Sequence, residues 1–118
     1  MYNTESHRAS LRARRDIVKS EIFSALGRIN DDRHAALADQ VHDTKDHAIA
    51  QLLLESDNAE LRRAALDLQD IDAALQRVSA GSYGRCLACG TDIPATRLGA
   101  YPTAKRCLPC QQEHEKNR

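Results

Sequence analysis

All four cysteines of this chain fall after residue 85, and their spacing constrains the fold more than any other feature. They read Cys86-Leu-Ala-Cys89 and, after seventeen intervening residues, Cys107-Leu-Pro-Cys110. Two residues between cysteines let one tight knuckle aim both sulfurs at a single ion. Two knuckles then complete a tetrahedron. Gly90 follows the first pair, where a knuckle often requires a positive φ that a residue without Cβ takes up easily. The intervening segment, Thr91 to Arg106, carries few hydrophobes, so a metal must replace the missing core. The spacing predicts one structural zinc ion on Cys86, Cys89, Cys107 and Cys110. Two disulfides would suit an oxidising compartment. A redox Cys-x-x-Cys would require a βαβ context that is absent from this sequence. A catalytic zinc keeps a ligand position open, whereas four thiolates close it.

The rest of the chain must solve a shortage of core. It has 118 residues, 3% of them aromatic, and no Trp. Small domains bury too little surface to stand without help, so elongated helix pairing has to supplement the metal. The breakers are placed accordingly. All three prolines lie after residue 93, and four of the five glycines lie at or after Gly81. The first eighty residues are rich in Ala, Leu, Arg, Glu, Asp and Gln, a composition that favours helix. Leu54, Leu61, Leu68 and Leu75 stand seven apart, with Ala64, Ile71 and Val78 interleaved; this is the alternation of a coiled-coil seam. Asp57 interrupts the seam toward residue 50. Leu52, Ala59, Leu66 and Ala73 form a weaker second stripe. Leu11, Val18, Ile22, Ala25, Ile29 and Ala36 give an earlier helical pattern. Two such helices with a polar join near residues 40 to 47 predict a mainly α fold. It is a long antiparallel helical hairpin, a coiled coil over residues 1–80 with an acidic tip near 40–48. A small C4 zinc-finger module with a short C-terminal helix follows over 81–118.

Charge is balanced overall but unevenly placed. Residues 8 to 19 hold five basic side chains against Asp16, and residues 31 to 60 hold eight acids against Arg33 and Lys45. The blocks exclude a uniformly basic nucleic-acid binder. Taken singly, each also reads as a solvated helix face. No stretch approaches the ~18 apolar residues of a membrane span. The polar, basic first twenty residues lack the apolar segment of a secretory signal. A cytoplasmic location is expected. His42 and His47 read as turn polarity. The aspartates beside them, at the far end of a rigid stalk, suit a probe of a narrow channel lined by cations.

Two groups of residues carry a family resemblance. Asp43-Thr-Lys-Asp46-His-Ala48 resembles the D-x-x-D-x-A tip motif of DksA/TraR-type transcription regulators. Gly81-Ser-Tyr-Gly-Arg-Cys-Leu-Ala-Cys-Gly90, with Ile93, Arg97-Leu98, Ala100, Pro102 and Cys107-x-x-Cys110 after it, resembles the C4 zinc-finger signature of that family. The resemblance spans about residues 5 to 115. It implies a non-enzymatic regulator of transcription initiation that binds bacterial RNA polymerase and inserts its coiled-coil tip into the secondary channel. No sequence-specific DNA contact is implied. By resemblance Asp43, Asp46 and Ala48 are the tip determinants, and Arg63 is a candidate polymerase contact. Positions that carry basic (p)ppGpp contacts in well-known members are Asp70 and Gln111 here, so little dependence on that nucleotide is expected. A monomer is expected. Two other functions compete with this reading. One is a transcript-cleavage-type factor holding magnesium on Asp43 and Asp46 in the same channel. The other is a zinc-ribbon nucleic-acid binder using Arg85, Arg97, Lys105 and Arg106 with Tyr83 and Tyr101.

Overall fold

The structure, a computed structural model, describes residues 4–28 and 45–117. The chain is mainly α. Its helices are α1 (Thr4–Arg28), α2 (Asp46–Leu54), α3 (Ala59–Ala80), α4 (Ala95–Ala100) and α5 (Leu108–Lys116). Extended pairing among the described residues is confined to one isolated antiparallel bridge, Arg85 with Asp92. The chain divides into two compact units, Arg12–Asp72 and the combination of Met1–Leu11 with Ala73–Arg118.

The unit Arg12–Asp72 is held by apolar faces of three helices. Val18, Ile22, Ala25 and Leu26 are buried on α1, Ile49, Ala50 and Leu53 on α2, and Leu61, Ala64, Ala65, Leu68 and Ile71 on α3. The α3 set recurs every three to four residues, a broader stripe than a strict seam. Leu26 and Ala65 lie outside the sequence-derived stripes, yet they are closed to solvent. The weaker second stripe is surface, with Leu52 and Leu66 each about half exposed. Arg14 pairs with Asp67 at 3.9 Å and Arg28 with Glu60 at 2.7 Å. As numbers rise along α1 they fall along α3, so these two helices run antiparallel.

The second helical stretch is broken, where the heptads over 48 to 80 predict one continuous arm. Residues 55–58 separate α2 from α3. The Asn58 side-chain oxygen accepts a hydrogen bond from the Leu61 N–H at 3.0 Å, capping α3. Ser56 Oγ accepts the Asn58 N–H at 3.1 Å, and Arg62 donates to the Ser56 carbonyl at 2.7 Å. Ser, Asp and Asn in sequence offer the backbone local partners that compete with helix continuation. Asp57 would also put a carboxylate into an apolar seam. The cap wins over the heptad at that point.

In the other unit, α3 stops at Ala80 for a visible reason. Gly81 takes φ +80°. The Ser82 N–H donates to the Arg77 carbonyl at 2.9 Å, and the Gly81 N–H donates to Val78 at 3.3 Å. That pair of bonds is the Schellman ending, which calls for a left-handed residue just past the helix. The small core of this unit comprises Leu11, Ala74, Val78, Tyr83, Cys86, Ile93, Leu98 and Ala104. Tyr83 is tied at both ends. Its hydroxyl donates to the Pro102 carbonyl at 2.8 Å, and its ring lies 5.0 Å from that of His7.

Candidate metal centre

The first knuckle is built by backbone hydrogen bonds around Cys86. The Cys86 N–H donates to Thr91 at 2.8 Å, and the Gly90 N–H returns to the Cys86 carbonyl at 3.0 Å. Gly90 has φ +79°, the left-handed turn expected there. The Ile93 N–H reaches the Gly84 carbonyl at 2.7 Å, closing the small turn that carries Cys86 and Cys89. The second pair sits at the start of α5. Cys107 caps that helix and Pro109 occupies its first turn, where a missing N–H costs nothing. The Leu87 N–H donates to the Lys105 carbonyl at 2.9 Å and ties the two knuckles together.

The four sulfurs all lie within 4.8 Å of one another. Cys89 and Cys107 Sγ are 3.7 Å apart. A ~2.3 Å zinc–thiolate bond in a tetrahedron places sulfurs about 3.8 Å apart, so the arrangement suits zinc. It is far from the ~2.05 Å of a disulfide. Burial alone would push the Cys86 thiol up. Hydrogen bonds from the backbone at Cys89, Cys107 and Ala88 outweigh it and bring the thiol down to about 6. Cys89 is also lowered, first by the Thr91 hydroxyl and then by the Thr91 N–H; the hydroxyl stands 2.9 Å from its sulfur. Cys110 is pushed up to about 12, chiefly by its contacts with Cys107 and Cys89. Two sulfurs favour the thiolate and one retains its proton. A divalent cation among them resolves that competition.

The family model for the prokaryotic dksA/traR C4-type zinc finger matches residues 81–116. RNA polymerase-binding transcription factor DksA of Caulobacter vibrioides is 38% identical over 85 residues, which is 72% of this chain and 55% of that protein. Residues 81–116 belong to the dksA/traR C4-type zinc-finger family. It spans about half the length of the curated relatives it matches. Transcription factor DksA2 from Pseudomonas aeruginosa has a similar structure. Its TM-score is 0.62 and its identity 28%, over 97% of this chain and 84% of that one. DnaK suppressor protein from Agrobacterium tumefaciens gives 0.61 and 28%, over 96% and 95%. The family's finger carries one structural zinc, and four thiolates leave it no open position.

The residues of the DksA/TraR tip motif are placed as follows. Asp43 lies outside the described residues. Asp46 is the first residue of α2, capped by Lys45 without a side-chain bond. Its acid suits the positive end of the helix. Ala48 is exposed in the first turn of α2, and Arg63 is exposed on α3. Asp46 is not the bare surface acid that a stalk tip suggests. Lys19 Nζ approaches it at 2.9 Å and Arg15 Nε at 3.8 Å, and its side chain is only 19% exposed. Sequence reading missed Arg15 and Lys19 as partners. The signal available in the sequence was the opposite charge of the basic block at 8–19 and the stretch that holds Asp46.

Proposed function

We propose that this chain binds bacterial RNA polymerase and regulates transcription initiation without catalysing a reaction. One coincidence carries the reading: the finger matched at residues 81–116 shares a chain with the motif Asp43-Thr-Lys-Asp46-His-Ala48, of which Asp46 to Ala48 open α2. A relative 38% identical to it is named an RNA polymerase-binding transcription factor. In this reading Asp43, Asp46 and Ala48 enter the secondary channel. Carboxylates are attracted there by basic side chains or a bound divalent cation. Arg63 adds a cation outside the channel. Zinc holds the finger together and takes no part in chemistry. The chain works as a monomer, in the cytoplasm with the polymerase.

DNA bases are not read. Stacking on nucleic acid uses exposed aromatic faces. Tyr83 is buried with its hydroxyl bound to Pro102. Tyr101 is the exposed ring of the finger, and Arg97 lies over it at 5.8 Å. A cleavage factor would hold magnesium on its tip carboxylates, whereas Ala48 in the tip motif and the matched finger favour the regulator. Little additional help from (p)ppGpp belongs to the same proposal. Phosphates are held by clustered cations. On α3, Asp67 is paired with Arg14 and Asp70 adds a further acid, while Gln111 on α5 is bonded to Glu115 at 3.2 Å.

The test is transcription in vitro from a promoter with a short-lived open complex. It is run with and without (p)ppGpp, on a polymerase lacking its other nucleotide site. The expected result is altered initiation, no synergy with the nucleotide and no cleavage of backtracked transcripts. Stimulated cleavage would establish the alternative factor. Unchanged initiation would contradict the proposal.

A further inference from the structure

The basic block of α1 and the first residue of α2 meet in a way that a simple hairpin does not allow. Arg28 and Glu60, 2.7 Å apart, fix where α1 and α3 lie alongside each other. If residues 46 to 60 continued α3 as one straight helix, Asp46 would stand about 21 Å beyond Glu60, fourteen residues at ~1.5 Å each. Instead it lies beside Lys19 and Arg15, nine and thirteen residues back along α1 from Arg28. The reversal occurs at residues 55–58, where Asn58 and Ser56 hold the turn. The heptads on either side, Leu54 and Leu61, are in register for a continuous helix. The same sequence therefore carries the pattern of one straight arm and the caps of a folded one.

We propose that the ion pairs from Lys19 and Arg15 to Asp46 form an autoinhibitory latch that keeps α2 folded against α1 in the free protein. The inference rests on the reading that Asp46 enters the polymerase channel. An acid bound to two cations of its own chain is masked from any partner. Polymerase meets the small open fraction, and its apparent affinity is reduced by that fraction. Lys19 and Asp46 are 17% and 19% exposed, so the pair is sheltered from solvent more than an ordinary surface pair. Arg15, at 3.8 Å and 32% exposed, contributes less. Salt weakens such pairs by screening, over a Debye length of about 10 Å at 0.1 M. The fold then gives polymerase binding two opposing salt responses: loss of steering and release of the latch.

Hydrogen exchange read by mass spectrometry tests the latch without labels on the zinc cysteines. The zinc-loaded full chain is compared with Lys19→Gln/Arg15→Gln, which leaves Asp46 untouched, and with Lys19→Arg, which keeps the charge. Far-UV circular dichroism and zinc content establish that each variant is folded. The latch predicts faster exchange at residues 46–54 in the double variant, by about tenfold or more, with residues 59–80 unchanged. Lys19→Arg should resemble wild type. Raising salt should speed 46–54 in wild type and leave the double variant unaffected. The double variant should also bind bacterial RNA polymerase several-fold more tightly. Equal exchange at 46–54 in wild type and double variant would overturn the latch. So would loosened exchange without any gain in affinity for a polymerase that wild type does bind. If exchange responds as stated and neither protein binds polymerase, the functional reading fails and the masking role falls with it, while the fold-back contact stands.

Discussion

Four sulfurs within 4.8 Å of one another cannot all ionise unless a cation joins them. The pattern of shifts says which protons leave first. Cys86 is held near 6 by backbone N–H groups despite its burial. Cys110 is pushed up to about 12 by its sulfur neighbours. At neutral pH the metal-free finger is therefore partly ionised, and zinc uptake should release fewer than four protons. The sign for pH follows from the lowered Cys86 thiol. Its thiolate persists until pH falls through about 6, and only below that does the proton compete with zinc at this ligand. A zinc competition titration from about pH 8 down to about pH 5 should show retention falling most steeply below about 6. Cys86→Ser should lose zinc at every pH, read as metal content of the purified protein. This site was legible in the sequence, because spacing alone brings four cysteines together. The unequal protonation was not, because it depends on N–H groups placed by the folded knuckle.

At the scale of elements, caps decided what periodicity left open. The stop at Ala80 was visible as a composition change at Gly81, and the structure gives its cause. An L-residue at φ +80° costs about 1–2 kcal/mol. Gly81→Ala should lower stability by about that amount in a denaturant melt with zinc bound. The break at residues 55–58 was legible only as a flaw in the heptad at Asp57. Its actual signal was the Ser56-Asp57-Asn58 run, a cap signature whose hydrogen bonds outcompete one seam position. Asn58→Ala removes the bond to the Leu61 N–H and should cost about 1 kcal/mol. It should also raise helical signal across residues 55–58, because the alternative to the cap is a continuous arm; unchanged helix content would speak against that competition. The Asp43→Asn/Asp46→Asn pair belongs to this scale too. Loss of both carboxylates should abolish the proposed effect on a sensitive promoter while the finger keeps its zinc. Full regulation by that variant would remove these acids from the mechanism.

For the molecule as a whole, the two units are stabilised by different means. The unit Arg12–Asp72 buries apolar side chains from three helices. The finger has a thin core and depends on metal in its place. Chelation should therefore melt the finger and release Tyr83 from Pro102, seen as a change in tyrosine absorbance. Much of the helical circular dichroism should remain. The fold class was legible because breakers, heptads and cysteines segregate along the chain. The fold-back of α2 was not, because it depends on charges more than twenty-five residues apart finding one another. An equilibrium binding titration reads the proposed interaction with polymerase itself. The zinc-loaded chain is titrated with purified bacterial RNA polymerase at low salt. Saturable one-to-one binding, lost when zinc is removed, is expected of a polymerase-binding regulator. Absence of saturable binding by the folded, zinc-loaded chain would contradict that role.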